Sequence, residues 1–143
     1  MITRADGRAL VFERSDVPGA WQFPQGGIAR HEDPLSAVMR EVREETGIEA
    51  DQLQLCGRYP EPLVYVLPPE ARSRKSGLGQ VQWWFVFRYE GRTDQIELPP
   101  RGEIRSWAWR PLEEIVREAA DFRRSVYQRL EEFVVNLERS AAE

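Results

Sequence analysis

An α/β fold, a mixed β-sheet with helices on both faces, is what this 143-residue sequence predicts, on three observations. Residues 34–46 and 121–137 place apolar side chains at helical spacing. Several short runs of branched and aromatic residues lie between turn signals, as strands do. One of them, Gln82 to Tyr89, is apolar on both alternating faces, and such a strand needs cover on both sides of its sheet.

In chain order, Asp6-Gly7 signals a turn and Ala9 to Phe12 a short strand after it. Val17 to Ala20 reads as a loop. Trp21 to Ile28 mixes aromatic, Gly and Pro signals, which suits an extended segment beside a functional loop. The first helix is expected from about Pro34 to Thr46. Asp33 suits its N-cap, Pro34 its first position and Gly47 its stop. Leu35, Val38, Met39 and Val42, at i, i+3, i+4 and i+7, define its predicted buried stripe. Strands follow at Leu53 to Tyr59 and near Leu63 to Val66. A loop from Leu67 to Leu78 then carries Pro68-Pro69 and the basic run Arg72, Arg74 and Lys75. After the strand at 82–89 comes another, Ile104 to Trp109, with Trp107 and Trp109 on one face. Pro111 to Ala119 reads as a short helix. Asp121 to Leu137 reads as a longer one, with Phe122, Val126, Leu130, Phe133, Val134 and Leu137 on one stripe. No repeat, linker or low-complexity tract intervenes, so one domain is expected over residues 1–143.

Composition narrows the chemistry. An apolar fraction of 41% with 31% charged residues belongs to a folded chain rather than a disordered one. The single cysteine, Cys56, excludes an intramolecular disulfide framework and a Cys-rich zinc site. Within Leu53-Gln54-Leu55-Cys56 it is expected to be a buried, inert thiol. The single histidine, His31, lies between Arg30 and Glu32 without a nucleophile motif and reads as a loop residue. Any metal must therefore be held by oxygen, which points to Mg²⁺, Mn²⁺ or Ca²⁺. No apolar run is long enough to span a bilayer and no basic-then-apolar leader is visible, so no membrane partner and a cytoplasmic location are expected. The net charge of −4 argues against a surface built for long nucleic acid, but a nucleotide needs only a local basic pocket. Of twenty basic residues only Lys75 is a lysine, so arginine is the expected phosphate ligand nearly everywhere.

The predicted first helix carries Glu41, Glu44 and Glu45 at i, i+3 and i+4. At ~100° per residue they share one arc beside the apolar stripe. Carboxylates converging there repel one another unless a cation neutralises them, and a hard divalent ion fits. The alternative is a solvated face with Arg40 and Glu44 as an i,i+4 pair.

The surroundings of these glutamates decide between the two. Gly26 stands six residues before Glu32, Glu32 eight before Arg40, and Arg40-Glu41-Val42-Arg43-Glu44-Glu45-Thr46-Gly47-Ile48 follows directly. This resembles the Nudix box, G-x5-E-x7-R-E-U-x-E-E-x-G-U with U aliphatic, at every specified position. The resemblance implies a Nudix-type α/β/α sandwich. It also implies a Mg²⁺-dependent hydrolase, with Mn²⁺ as the alternative metal, in which water attacks phosphorus without a covalent enzyme intermediate. Gly26 and Gly27 would let the backbone turn beside phosphate, and Glu32 would brace that loop through Arg40. Gly26, Glu41, Glu44 and Glu45 become expected metal ligands and Gly47 a structural position. Glu41 is the first choice of general base, and Glu44 and Arg40 complete the expected catalytic set.

A narrower resemblance covers most of the chain. Trp21-Gln22-Phe23-Pro24-Gln25-Gly26-Gly27, Tyr65 with Pro68-Pro69, and Gly79-Gln80-Val81-Gln82-Trp83-Trp84-Phe85 are similar to segments of asymmetric diadenosine tetraphosphate hydrolases and of bacterial RNA 5′-pyrophosphohydrolases. It implies substrate contacts at Arg14, Gln22, Tyr65, Gln80 and Gln82, and a further metal-side carboxylate at Glu103. Val81 and Trp83 depart from it, standing where those families carry lysines. Trp83 is then either a stacking surface for a base or a core residue, and Tyr65, beside the proline-rich loop, is the better stacking candidate. The expected substrate is a dinucleoside polyphosphate, diadenosine tetraphosphate being split into ATP and AMP. The alternative is a triphosphorylated RNA 5′ end. A nucleotide-sensing module of the same fold would be expected to lose box glutamates, and this chain keeps them all.

Overall fold

The computed structural model describes residues 1–92, 96–100 and 102–143. Its elements in chain order are β1 (Ile2–Thr3), β2 (Arg8–Arg14), β3 (Trp21–Gln22), α1 (Pro34–Thr46), β4 (Leu53–Arg58), β5 (Leu63–Val66), β6 (Gly79–Gln82), β7 (Phe85–Tyr89), β8 (Ile104–Pro111), α2 (Leu112–Glu118) and α3 (Asp121–Ala142). Short 3₁₀ turns occur at Ala50–Gln52 and Pro69–Ala71.

The larger sheet runs β3-β2-β1-β7-β4, and β8 lies along the other edge of β2 from Arg8↔Pro111 to Arg14↔Ile104. The β1–β7 pair is parallel and the other pairs are antiparallel, so the sheet is mixed as expected. Strand alternation sends successive side chains to opposite faces. Ala9, Val11 and Val86 join a core with Ile115, Val116, Val126, Leu130 and Val134 of α2 and α3. Leu10, Phe12, Phe85 and Phe87 join a second core with Val42 of α1. The helices thus cover both faces. Among the described residues no helix is long and apolar enough to cross a membrane.

Several expectations need correction. The run Gln82 to Tyr89 is not one strand. Its first residue ends β6, which pairs only with β5 in a separate two-stranded sheet, and β7 starts at Phe85 between β1 and β4. The chain changes sheets at Trp83-Trp84, and the continuous apolar pattern hides the step. Leu35 is 36% exposed, so the buried side of α1 is Ala37, Val42 and Thr46, with Val38 and Met39 half-covered. Cys56 is exposed: it sits at the bulge between Leu55 and Gly57 in β4, the end strand of the sheet order, beside a Leu55 that is itself exposed. The extended segment after Trp21 pairs only through Trp21 and Gln22.

Candidate active site

The start and stop of α1 are those its residues dictate. The Asp33 carboxylate accepts from the Ser36 backbone N–H at 3.0 Å, Pro34 follows it, and Gly47 closes the helix in the left-handed region at φ 73°. With its ends fixed, the helix presents Arg40, Glu41, Glu44 and Glu45 beside the loop at residues 26–33.

Arg40 is the hub of that arrangement. Its Nε donates to Glu32 Oε2 and its Nη2 to Glu32 Oε1, both at 2.9 Å. Nη2 also reaches the Gly27 carbonyl at 2.9 Å, and Nη1 reaches Glu41 Oε1 at 2.9 Å and Glu44 Oε2 at 3.3 Å. Glu32 in turn accepts from the Ala29 N–H at 3.0 Å. The Arg40 guanidinium and that N–H hold the Glu32 carboxyl down at about 2. Arg40 is therefore seen as a positioning residue that ties loop to helix.

Gly26 lies against the Glu41 carboxylate. A Cβ added to Gly26 would stand 2.1 Å from Glu41 Cδ, so only glycine admits this approach. Gly27 differs from the expectation: its backbone needs no left-handed φ and a Cβ there would meet nothing within 4 Å. Its contribution is the carbonyl that Arg40 grips.

Burial, followed by the charges of Glu41, Glu103 and Glu44, pushes the Glu45 carboxyl up to about 7. Glu103 belongs to this acidic surround although it comes from the far end of the chain. Its segment is pinned to the end of β2, where the Ser15 N–H donates to the Glu103 carbonyl at 2.7 Å. Its carboxylate pairs with Lys75 at 3.3 Å, both side chains being exposed. These carboxylates are hard oxygen donors of the kind that suit a divalent cation. Among the described residues they do not stand as a preformed cage of three acidic ligands. Arg40 draws Glu41 and Glu44 to one side, and Lys75 draws Glu103 to another.

A cleft of about 600 Å³ opens over Gly26, Gly27 and Glu41. Its other wall comes from Gln80, Val81, Gln82 and Trp83, with Lys75 and Glu103 at its mouth. A chain of amides stiffens that wall. The Tyr65 hydroxyl donates to Gln80 Oε1 at 2.7 Å, and Gln82 Nε2 donates to Gln80 Oε1 at 2.8 Å and Gln25 Oε1 at 3.2 Å. Trp84 Nε1 donates to Gln82 Oε1 at 3.1 Å.

The structure separates the expected substrate residues. Gln80 and Gln82 line the cleft, whereas Arg14 is paired to Asp16 and Gln22 lies in β3, neither of them on the cleft wall. Tyr65 is 5% exposed and packs on Phe122 at 5.4 Å between ring centres. β5 turns its alternate residues into the core, so Tyr65 braces Gln80 and offers no free ring face. Trp83, by contrast, is 42% exposed. Among the described residues that line the cleft the one basic side chain is Lys75, and none is an arginine. Sequence reasoning missed Lys75 as a cleft residue, and its signal was the lone lysine in the proline-bounded loop. Gln25, too, went unnamed as a contact; the matched segment around it was the available sign.

A family profile described as NUDIX domain matches residues 1–130. The chain belongs to the Nudix family. An RNA pyrophosphohydrolase from Cereibacter sphaeroides is 38% identical over 133 residues, covering 90% of this chain and 82% of that protein. The Escherichia coli dihydroneopterin triphosphate pyrophosphohydrolase superposes with a TM-score of 0.76 at 26% identity, covering 94% of this chain and 91% of that one. A Caenorhabditis elegans Ap4A hydrolase shares the fold, with a TM-score of 0.68 at 20% identity over 94% of this chain and 95% of its own. Nudix hydrolases act on phosphorus-containing acid anhydrides and generally use divalent metal ions, and this chain is one of them.

Proposed function

We propose that this Nudix hydrolase cleaves a phosphoanhydride bond of a dinucleoside polyphosphate, with Mg²⁺ as its metal, diadenosine tetraphosphate yielding ATP and AMP. The observation that carries the choice of substrate is the makeup of the cleft. Val81 and Trp83 are exposed on its wall, and Lys75, already paired to Glu103, is the one cation among its described lining residues. Such a cleft suits a short polyphosphate flanked by bases better than an extended phosphate backbone, which is held by several cations.

Glu41, Glu44, Glu45 and Glu103, with the Gly26 carbonyl, would hold the metal. A divalent cation there supplies neutralisation of the diphosphate charge and acidifies water. Arg40 keeps Glu41 in place by binding Oε1, while Oε2 lies against Gly26. Glu41 takes the proton from the attacking water as its oxygen bonds to phosphorus. The bridging P–O bond breaks, and its electron pair leaves on the departing phosphate.

Hydrolysis of triphosphorylated RNA ends is the second reading, favoured by the names of relatives such as the Cereibacter RNA pyrophosphohydrolase. Comparing kcat/KM for diadenosine tetraphosphate and a 5′-triphosphate RNA oligomer, with Mg²⁺ and at two salt concentrations, separates them. The proposal expects the dinucleotide to be preferred and little salt dependence. An enzyme that prefers the RNA with a steep salt slope overturns the order.

A further inference from the structure

We propose that Trp83 is the platform on which a nucleobase of the substrate stacks, an inference that rests on the nucleotide reading above. Two neighbouring tryptophans are turned in opposite directions where the chain leaves β6 for β7. Trp84 is 5% exposed, meets the Phe23 ring edge-on at 5.9 Å and Tyr127 at 6.3 Å, and is hydrogen-bonded to Gln82. That anchoring fixes the backbone and sends the Trp83 ring outward into the cleft wall. Trp83 is 42% exposed, and among the described residues no aromatic ring or cation packs against it. A large ring that keeps 42% of its surface open on a cleft wall, beside an anchored neighbour, is pre-organised for a flat aromatic ligand.

Its position relative to the carboxylates supports this role. Gln82, next to Trp83, is bonded to Gln25, and Gln25 precedes the Gly26 that touches Glu41. The platform and the acidic cluster are thus two ends of one short bridge across the cleft. Val81, 54% exposed, and Ile28, 43% exposed, add apolar surface to the same cleft. Stacking reads a π-face rather than a hydrogen-bonding edge, so the platform accepts more than one base.

The test is equilibrium binding of AMP and of ribose 5-phosphate to the wild-type protein, Trp83→Ala and Trp83→Phe, with Mg²⁺ present. Neither ligand contains a phosphoanhydride, so neither is consumed. The expected result is an AMP affinity lowered roughly tenfold or more in Trp83→Ala and nearly retained in Trp83→Phe. Ribose 5-phosphate binding and the melting temperature stay unchanged in both. Equal AMP affinity in wild type and Trp83→Ala overturns the platform, as does a parallel loss for both ligands. A wild-type protein that hydrolyses neither diadenosine tetraphosphate nor triphosphorylated RNA fails the nucleotide reading itself, and the platform falls with it. Normal hydrolysis with unchanged AMP affinity in Trp83→Ala defeats the platform alone.

Discussion

Arg40 holds Glu32 in a two-pronged grip, Nε to Oε2 and Nη2 to Oε1, each at 2.9 Å, across the gap between α1 and the loop before it. The planar fork of arginine fits a carboxylate in this way, and the ammonium of lysine does not. Arg40→Lys is therefore expected to lower kcat/KM by roughly 10–100-fold, the usual range for partners that orient a metal site. Far-ultraviolet circular dichroism should stay unchanged. Wild-type kinetics in this variant would remove Arg40 from the positioning role.

The two glycines of the loop should respond differently to alanine. At Gly26 the new methyl would collide with Glu41 Cδ, whereas at Gly27 it would meet open space. Gly26→Ala is expected to weaken Mg²⁺ binding sharply, and Gly27→Ala to leave it near wild type, as measured by titration calorimetry. Equal behaviour of the pair would mean that the Gly26–Glu41 approach does not set the site.

Glu41→Gln, Glu44→Gln and Glu45→Gln are each expected to cut turnover by at least ~10²-fold with the fold intact, as loss of a base or metal ligand does. Near-normal rates in two of the three would contradict the assignment of α1 as the catalytic element.

Glu45 adds a pH signature to the metal-free protein. Its folded pKa, about 7, lies above the ordinary 4.5, so the folded state keeps a proton that the unfolded state has released. Stability from this group is complete below pH 4.5 and is lost as pH rises through 7. In chelator, Glu45→Gln should therefore gain melting temperature over wild type as pH rises from 5 to 8. A constant difference across that window would contradict the electrostatic account.

Tyr65 separates packing from recognition. Tyr65→Ala is expected to destabilise the protein by about 3–5 kcal/mol through the cavity it leaves. Tyr65→Phe keeps the ring but leaves Gln80 Oε1 without that donor, a loss of about 1 kcal/mol. Chemical denaturation measures both. A stable alanine variant with impaired nucleotide binding would restore the stacking role that its burial argues against.

The parts of this molecule that could be read in advance are those set by local rules. Asp33, Pro34 and Gly47 bound α1 through their own backbone preferences, so its limits were legible residue by residue. Helical periodicity at Leu35 and the apolar stretch around Cys56 mark candidate interior positions but not what covers them, and both residues lie outside the core. The division between β6 and β7 left no mark because the apolar run from Trp83 to Phe87 continues across it, and the change of sheet depends on distant partners. Lys75 meets Glu103 across 28 positions, and no local pattern announces such a pairing.

The grip of Arg40 on Glu32 and Gly27 joins positions only 8 and 13 apart, all within one unbroken stretch from Gly26 to Ile48. The facing wall is assembled from elsewhere, by Gln80, Val81, Gln82 and Trp83. Under the reading proposed above, the residues that hold the metal (Glu103 apart) and those that meet the substrate are thus encoded in separate stretches of the chain. Under that reading, substitutions at Val81 and Trp83 can exchange the molecule that enters the cleft without touching any residue between Gly26 and Ile48.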